Sequence, residues 1–253
     1  MIRSLAQIGR FHETLRPGEE AIRIATERNY PLSIVFGHYA VGAAALIRGD
    51  FDRAIAALEH ALKICETAEI PVQRPLVVSG LAIAYAFVGR FDEAMRFLES
   101  TADRTTRVMD GETQQVPLGR ALGMVWDVQT YMLAGRYSEA EIMARQALEV
   151  LGKSQHRGSE AWLKYLLGGI LARREPPLST QAEASYAEAI TLAEQLGMRP
   201  VQAHCYFELG QVHAQSKNPE VARTEIKAAN ELYRDMGMRY WVDRADLALA
   251  AIP

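Results

Sequence analysis

Six histidines, two cysteines and scattered carboxylates are the groups in this 253-residue chain that could move protons, hold a metal ion or attack an electrophile. The histidines are His12, His38, His60, His156, His204 and His213, and none pairs with another at the four-residue spacing that puts two imidazoles on one helix face for zinc. No Gly-x4-Gly-Lys-Ser/Thr loop offers backbone amides to a nucleotide phosphate, and no His-Glu-x-x-His pair is present. There is no Gly-x-Ser-x-Gly elbow for a serine nucleophile. His204 beside Cys205 is the most suggestive pair, but one imidazole and one thiol without a third group complete neither a metal set nor a triad. Adjacent carboxylates such as Asp92 and Glu93 fall where a helix begins, a capping position. Gly168-Gly169 lies inside a helical pattern and reads as close helix packing, not as a phosphate cradle. The expectation is a protein that is not an enzyme, with no cofactor and no metal.

What must position any binding surface is a repeat. The signature reads Gly9-Arg10-Phe11-His12-Glu13-Thr14, Gly49-Asp50-Phe51-Asp52-Arg53-Ala54, Gly89-Arg90-Phe91-Asp92-Glu93-Ala94 and Gly135-Arg136-Tyr137-Ser138-Glu139-Ala140. Two degenerate copies follow, Pro177 to Ala182 and Lys217 to Ala222, so the last positions step by 40, 40, 46, 42 and 40 residues. A fixed period in this range is the mark of stacked supersecondary units. Between signatures the apolar positions recur at three and four residues, as in Ala54, Leu58, Ala61 and Leu62. Prolines at 31, 71, 117 and 200 mark the joints, where a first helical turn does not need the missing N–H. The glycine ends one helix in the left-handed conformation, and the aromatic residue after it is expected to pack into the angle between the two helices. Asp52, Asp92, Glu93 and Glu139 meet the positive end of the second helix, and the alanine lets backbones approach.

The predicted fold is all-α: a right-handed superhelical solenoid of antiparallel helix pairs with a period of about 40 residues. Its units run approximately 1–30, 31–70, 71–113, 114–156, 157–198 and 199–237, with a capping helix over 238–251 that has Trp241, Leu247 and Leu249 on its dry side. Counted back from Thr14, the first helix of the first unit has only Ile2 to Ile8. That predicts a cover for the exposed edge, either a preceding domain or a second copy.

The pattern resembles the tetratricopeptide repeat, W-x2-L-G-x2-Y, then A-x3-F, then P. Tyr206, Leu209, Gly210 and His213 stand at its first-helix positions, followed by Ala222, Ile226 and Ala229. Tyr85 and Tyr131 hold the tyrosine position. Leu58, Leu98, Ala144 and Tyr186 hold the aromatic position of the second helix, and Ala61, Thr101, Ala147 and Ala189 follow three residues later. The period is longer than the family's 34 residues. HEAT-like repeats have a similar period but lack the Gly-x-aromatic-x-x-Ala box. A narrower resemblance covers about the last 60 residues, from Leu196-Gly197-Met198-Arg199-Pro200 through Met236-Gly237-Met238-Arg239-Tyr240-Trp241. It is similar to the C-terminal repeat regions of bacterial signalling proteins that join an adenylate or guanylate cyclase to a regulatory ATPase.

In such arrays the first helices line the concave face. Counting fifteen and eleven residues back from each signature's last position gives Tyr39 in the second unit, Ser79 in the third, Val125 and Gln129 in the fourth, and Phe207 and Gln211 in the sixth. A longer fifth turn, from Arg174 to Pro177, shifts the count to Tyr165, with Trp162 one turn earlier; Phe36 and His204 take the equivalent outer positions. The lining lacks the Lys/Asn combination of the chaperone-type clamps in this family, which argues against a C-terminal carboxylate as ligand. The expected occupant is an apolar helix or extended peptide anchored by aromatic residues.

The reading that follows is a protein-interaction scaffold in the regulatory region of a bacterial signalling protein; the alternative is a repeat domain that senses a small-molecule inducer. A net charge of −3 without a run of five like charges argues against nucleic acid. Cys65 and Cys205, too far apart to bridge, read as reduced thiols of a cytoplasmic protein. The uncharged run from Pro75 to Gly89 spans fifteen residues, short of the roughly 20 that cross a bilayer, so no membrane partner is expected.

Overall fold

The computed structural model of the protein describes residues 2–71, 73–100, 118–152 and 156–252. Thr101 and Pro117 of the repeat pattern lie outside the described residues. The described residues form helices and connections, with no strand. In chain order the helices are α1 (Ile2–Gln7), α2 (His12–Glu27), α3 (Pro31–Arg48), α4 (Phe51–Thr67), α5 (Arg74–Phe87), α6 (Phe91–Glu99) and α7 (Leu118–Leu133). They continue as α8 (Tyr137–Gly152), α9 (Arg157–Ala172), α10 (Ser179–Leu196), α11 (Arg199–Gln215), α12 (Pro219–Met236) and α13 (Arg239–Ala251).

The chain divides into two compact units. The first comprises residues 10–136 with the start of the chain up to Ala6; the second comprises Tyr137 to the end together with the segment Gln7–Gly9. The boundary falls inside the fourth signature, between its arginine and its tyrosine. Within the first unit each helix from α2 to α6 packs on the next, and α3 packs on α5 and α5 on α7. Within the second, α8 to α13 pack in the same successive way, and α9 also contacts α11. This is the α-solenoid expected from the repeat: within each unit first helices touch the first helix of a neighbouring pair, as α3 on α5 and α9 on α11, and α4, α6, α10 and α12 lean on the first helices of their own pairs.

The turns behave as the signature requires. Gly49, Gly89 and Gly135 have φ of +90°, +80° and +75°, the region where a side chain is strained. Left-handed residues recur every 20 positions: Gly9, Asn29, Gly49, Glu69 and Gly89, and again Gly197, Lys217 and Gly237. They close both the turn within a pair and the joint between pairs. Asn29, Glu69 and Lys217 hold this conformation with a side chain, at φ of 52°, 52° and 58°. Replacing Lys217 or Glu69 with glycine is therefore expected to stabilise the chain by about 1 kcal/mol each. A lower or unchanged midpoint of thermal unfolding in both variants would refute this account of the left-handed connections.

The acidic first turns carry no side-chain cap bond in α4 or α6. Instead the signature arginine reaches its glutamate. Arg90 donates from Nε and Nη2 to Glu93 at 2.5 and 2.6 Å, and Arg10 makes the same pair with Glu13. Arg90 also lies 3.9 Å above the ring of Tyr85, and Arg136 lies 4.8 Å above that of Tyr131. The tyrosine of one helix and the arginine of the following turn are thus one device. Tyr85 Oη in addition donates to Glu59 at 2.5 Å.

The small residues carry the helix contacts. Thr14, Ala54, Ala94, Ala140, Ala182 and Ala222 are all wholly buried. A Cβ on Gly42 would stand 2.6 Å from Leu58, one on Gly168 2.7 Å from Tyr186, and one on Gly210 2.4 Å from Ile226. Each of these glycines faces the aromatic position of its second helix, so Gly168 serves packing, as its context suggested.

Two expectations need correction. Phe91 is largely exposed, whereas Phe11 and Phe51 are buried, so the signature aromatic does not always fill the inter-helix angle. Phe51 stacks on Phe87 of the following pair, with ring centroids 4.4 Å apart. In α13, Leu247 is exposed and Leu249 half-buried; the dry face is Trp241 and Ala245, at the four-residue step that the helix imposes. Among the described residues α3, with 18 residues, is long and apolar enough to cross a bilayer by length and composition, while the uncharged run after Pro75 falls in the shorter α5. Half of α3 is buried within the protein, as in the core helix of an α-solenoid. The fifth turn is longer as expected, running from Arg173 to Leu178, whereas Gly49 and Asp50 alone join α3 to α4.

Candidate functional site

The residues expected to line a groove fall into both units. In the second unit, α9 presents Trp162 and Tyr165 and α11 presents His204 and Phe207, each pair three residues apart on one helix face. The His204 ring stacks on Tyr165 at 5.6 Å and lies 5.7 Å from Trp162. Two rings from the following helices close the cluster: Tyr233 of α12 at 5.4 Å and Trp241 of α13 at 4.4 Å from His204. Phe207 meets Tyr233 edge-on at 6.5 Å. The Nε1 of Trp162 donates to Oε1 of Gln7 at 2.5 Å, so the segment Gln7–Gly9 seats against this cluster as part of the same unit. Met236 and Pro200 lie against Gly9.

His204 is 4% exposed, and Nδ1 shares a hydrogen bond of 2.7 Å with the hydroxyl of Tyr233. Burial, reinforced by the positive charge of Arg244, pushes its pKa down to about 3. Burial pushes the hydroxyls of Tyr165, Tyr186 and Tyr233 and the thiol of Cys205 upward. At neutral pH the cluster is uncharged. A neutral imidazole this reluctant to take a proton is a poor general base, and the adjacent thiol stays protonated. What the arrangement does is pack: four rings surround one imidazole, which shares a hydrogen bond with Tyr233.

Gln211 follows Phe207 by one turn. It is half-buried, and its amide nitrogen has no hydrogen-bond partner. Glu208 between them receives a bidentate pair from Arg173 at 2.9 and 3.1 Å.

In the first unit, Tyr39 and Val125 are buried, and the Tyr39 ring lies 5.7 Å from Trp126. Gln129 is buried as well. Phe36 stands apart at 46% exposure, one turn after the similarly exposed Leu32 and close in sequence to exposed Tyr30 and Ile24. Of the nine residues expected to line a groove, Phe36 is thus the one that presents a large apolar surface to solvent. The others are buried, apart from half-buried Gln211.

Sequence reasoning missed three contributors. Tyr233 extends the run Ala222, Ile226, Ala229 by one more four-residue step and was readable on that basis. Trp241 was placed only as the dry side of the cap. Asp127, 2% exposed on α7, was hidden among apolar neighbours and carried no motif. Among the described residues no group of three histidine, cysteine or acidic side chains is arranged for a metal ion. Cys65 and Cys205 are free and buried.

No protein-family model matches the chain, and no curated protein does. Among solved structures the chain is similar to the crystal structure of BtubC (BKLC) from P. vanneervenii. The two are 17% identical, with a TM-score of 0.57, over 90% of this chain and 92% of that one. At that identity the likeness speaks for the fold alone, and it is a likeness to another helical-repeat protein.

Proposed function

We propose that the chain is a non-enzymatic protein-interaction scaffold whose setting is the regulatory repeat region of a bacterial cytoplasmic signalling protein. The observation that carries this reading is the division between the two kinds of apolar residue. The rings that bear chemistry are locked into each other, while Tyr30, Leu32 and Phe36 stand exposed together at the start of α3. Exposed apolar patches on folded proteins mark interaction surfaces more often than they mark catalysis. The partner this surface suits is a protein segment with an apolar face, docked against Phe36 and Leu32 as anchors.

The test is a photo-crosslinking residue in place of Phe36, and another in place of exposed Glu66 as control. The expected result is one discrete adduct at position 36, lost when Leu32→Glu is added. The same adducts at both positions would overturn the reading. Immunoblotting of the native polypeptide tests the setting: a product well beyond 253 residues is expected.

A second reading, sensing of a small molecule, draws on a different observation. Ser79, Asp127, Gln129 and Thr130 are polar side chains buried on the inner layer of the first unit.

A further inference from the structure

The segment Gln7–Gly9 belongs to the second unit, although the residues on either side of it belong to the first. It lies where the helix pairs of the second unit are joined. The joint from α10 to α11 brings Gly197 and Pro200, the end of α12 brings Met236, and the second turn of α9 brings Trp162. The three residues make three different contacts. The carboxamide oxygen of Gln7 accepts from Trp162 Nε1 at 2.5 Å. Ile8 faces Gly197, on which a Cβ would stand 4.0 Å from Ile8 Cγ2. Gly9 has φ of +84°, and a Cβ on it would run into Met236 Sδ and stand 3.6 Å from Pro200 Cδ. Together they select an acceptor, an aliphatic side chain and a left-handed residue without a Cβ.

The segment is also replaceable. All three residues are half-buried, not enclosed. Helix α1, which leads into them, has no extensive contact with another helix, whereas α2 to α13 each do. Segments held by so few contacts open at a small fraction of the global stability. The surface beneath is held from elsewhere: the Trp162 ring packs on Tyr165 and His204, with centroids 5.9 and 5.7 Å apart. The space is thus a recess with a short strap laid in it, and what suits the strap defines what else fits. Trp162 Nε1 is a donor only, so an occupant must bring an oxygen. A carboxylate would bury its charge against neutral rings, which is costly, whereas a carboxamide would not.

We infer that Trp162, Gly197, Pro200 and Met236 form a binding site for a peptide turn in which glutamine, an aliphatic residue and a left-handed glycine follow one another, and that Gln7–Gly9 is the competitor for it within the chain. The partner is a protein segment of that chemistry. The strap lowers its apparent affinity by the fraction of time that the site is already filled. This site lies in the second unit and is independent of the docking surface around Phe36.

A fluorescently labelled peptide with the sequence of residues 2–11, titrated into the full chain and followed by anisotropy, tests this. Gly9→Ile in the chain keeps the strap out of the recess. It is expected to tighten peptide binding about tenfold over the parent, as for a strap seated roughly nine-tenths of the time. Ile8→Asp in the chain, which opposes the strap by charge instead of bulk, should act in the same direction, and both variants should keep the helical circular dichroism of the parent. Gly9→Ile in the peptide should abolish binding. Gln7→Ala or Gln7→Glu in the peptide should each weaken it about tenfold. In a chain that also carries Trp162→Phe, which keeps a ring but removes the N–H, the glutamine and alanine peptides should bind alike. Equal binding by the parent and both strap variants, or no binding by any of them at roughly 1 mM, would overturn the inference. So would binding that is indifferent to the peptide's glycine, or a glutamate peptide that binds as tightly as the glutamine one.

Discussion

Truncating Tyr186 to alanine is expected to destabilise the second unit by about 3–5 kcal/mol, the range for removing a large buried ring. Tyr186 is wholly buried and fills the space that Gly168 leaves on the facing helix, where a Cβ would come within 2.7 Å of the ring. The fit is two-sided, so neither partner can relax toward the other without shifting α9 against α10. The hydroxyl adds nothing to this: it is buried, has no hydrogen-bond partner, and burial raises its pKa. Tyr186→Phe is accordingly expected to be neutral or to stabilise by about 1 kcal/mol, by removing an unsatisfied polar atom. With two compact units a single two-state transition is not assured, so hydrogen exchange of α9 and α10 is the measurement to make. Protection there should collapse in the alanine variant and persist in the phenylalanine one. Similar losses in both would show that the hydroxyl, not the ring, carries the contact.

That contact also marks how far the chain was legible. The repeat exposed the helix pairs, the left-handed turns and the buried alanines, because each is enforced locally at a fixed spacing. Tyr186 and Gly168 could be paired in the same way, one at the aromatic position of the second helix and one on the first. What local spacing does not encode is which face of a first helix meets what. Tyr39, Val125 and Trp162 occupy the positions where a groove lining was expected, yet they are buried, because these large apolar side chains fill the inner layer of their own units. Asp127 was invisible for the opposite reason. A single carboxylate amid Val125, Trp126 and Val128 has no periodic partner in the sequence, and its meaning appears only when Ser79 comes alongside. Leu247 misled because an apolar residue in a last helix looks like core until the helix phase is fixed by Trp241 and Ala245.

Acid should weaken the second unit through His204. A histidine whose pKa lies below its unfolded value binds fewer protons when folded, so its contribution is intact above the unfolded pKa and declines as the pH falls toward the folded one. Here the unfolded value is the ordinary 6.5 and the folded value about 3, with burial the main cause and Arg244 the second. Between pH 7 and pH 4 the loss is on the order of 3 kcal/mol, since each pH unit spanned is worth about 1.4 kcal/mol. His38, held down to about 4 by burial and by His60, adds a smaller loss with the same sign in the first unit. The variant His204→Phe separates the two. It keeps a ring among Tyr165, Trp162 and Trp241 but removes the titrating group and leaves the hydroxyl of Tyr233 without its partner. At pH 7 it should be less stable than the parent by about 1–3 kcal/mol, the cost of a buried unsatisfied group. At pH 4 that deficit should shrink or reverse, because the parent alone must hold a neutral imidazole against protonation. Adding Tyr233→Phe should recover much of the deficit at pH 7 while leaving the flattened pH profile as it is. Stability curves that stay parallel from pH 7 to pH 4 would mean that His204 is protonated in the folded cluster, and that the four rings around it tolerate a charge that their burial argues against.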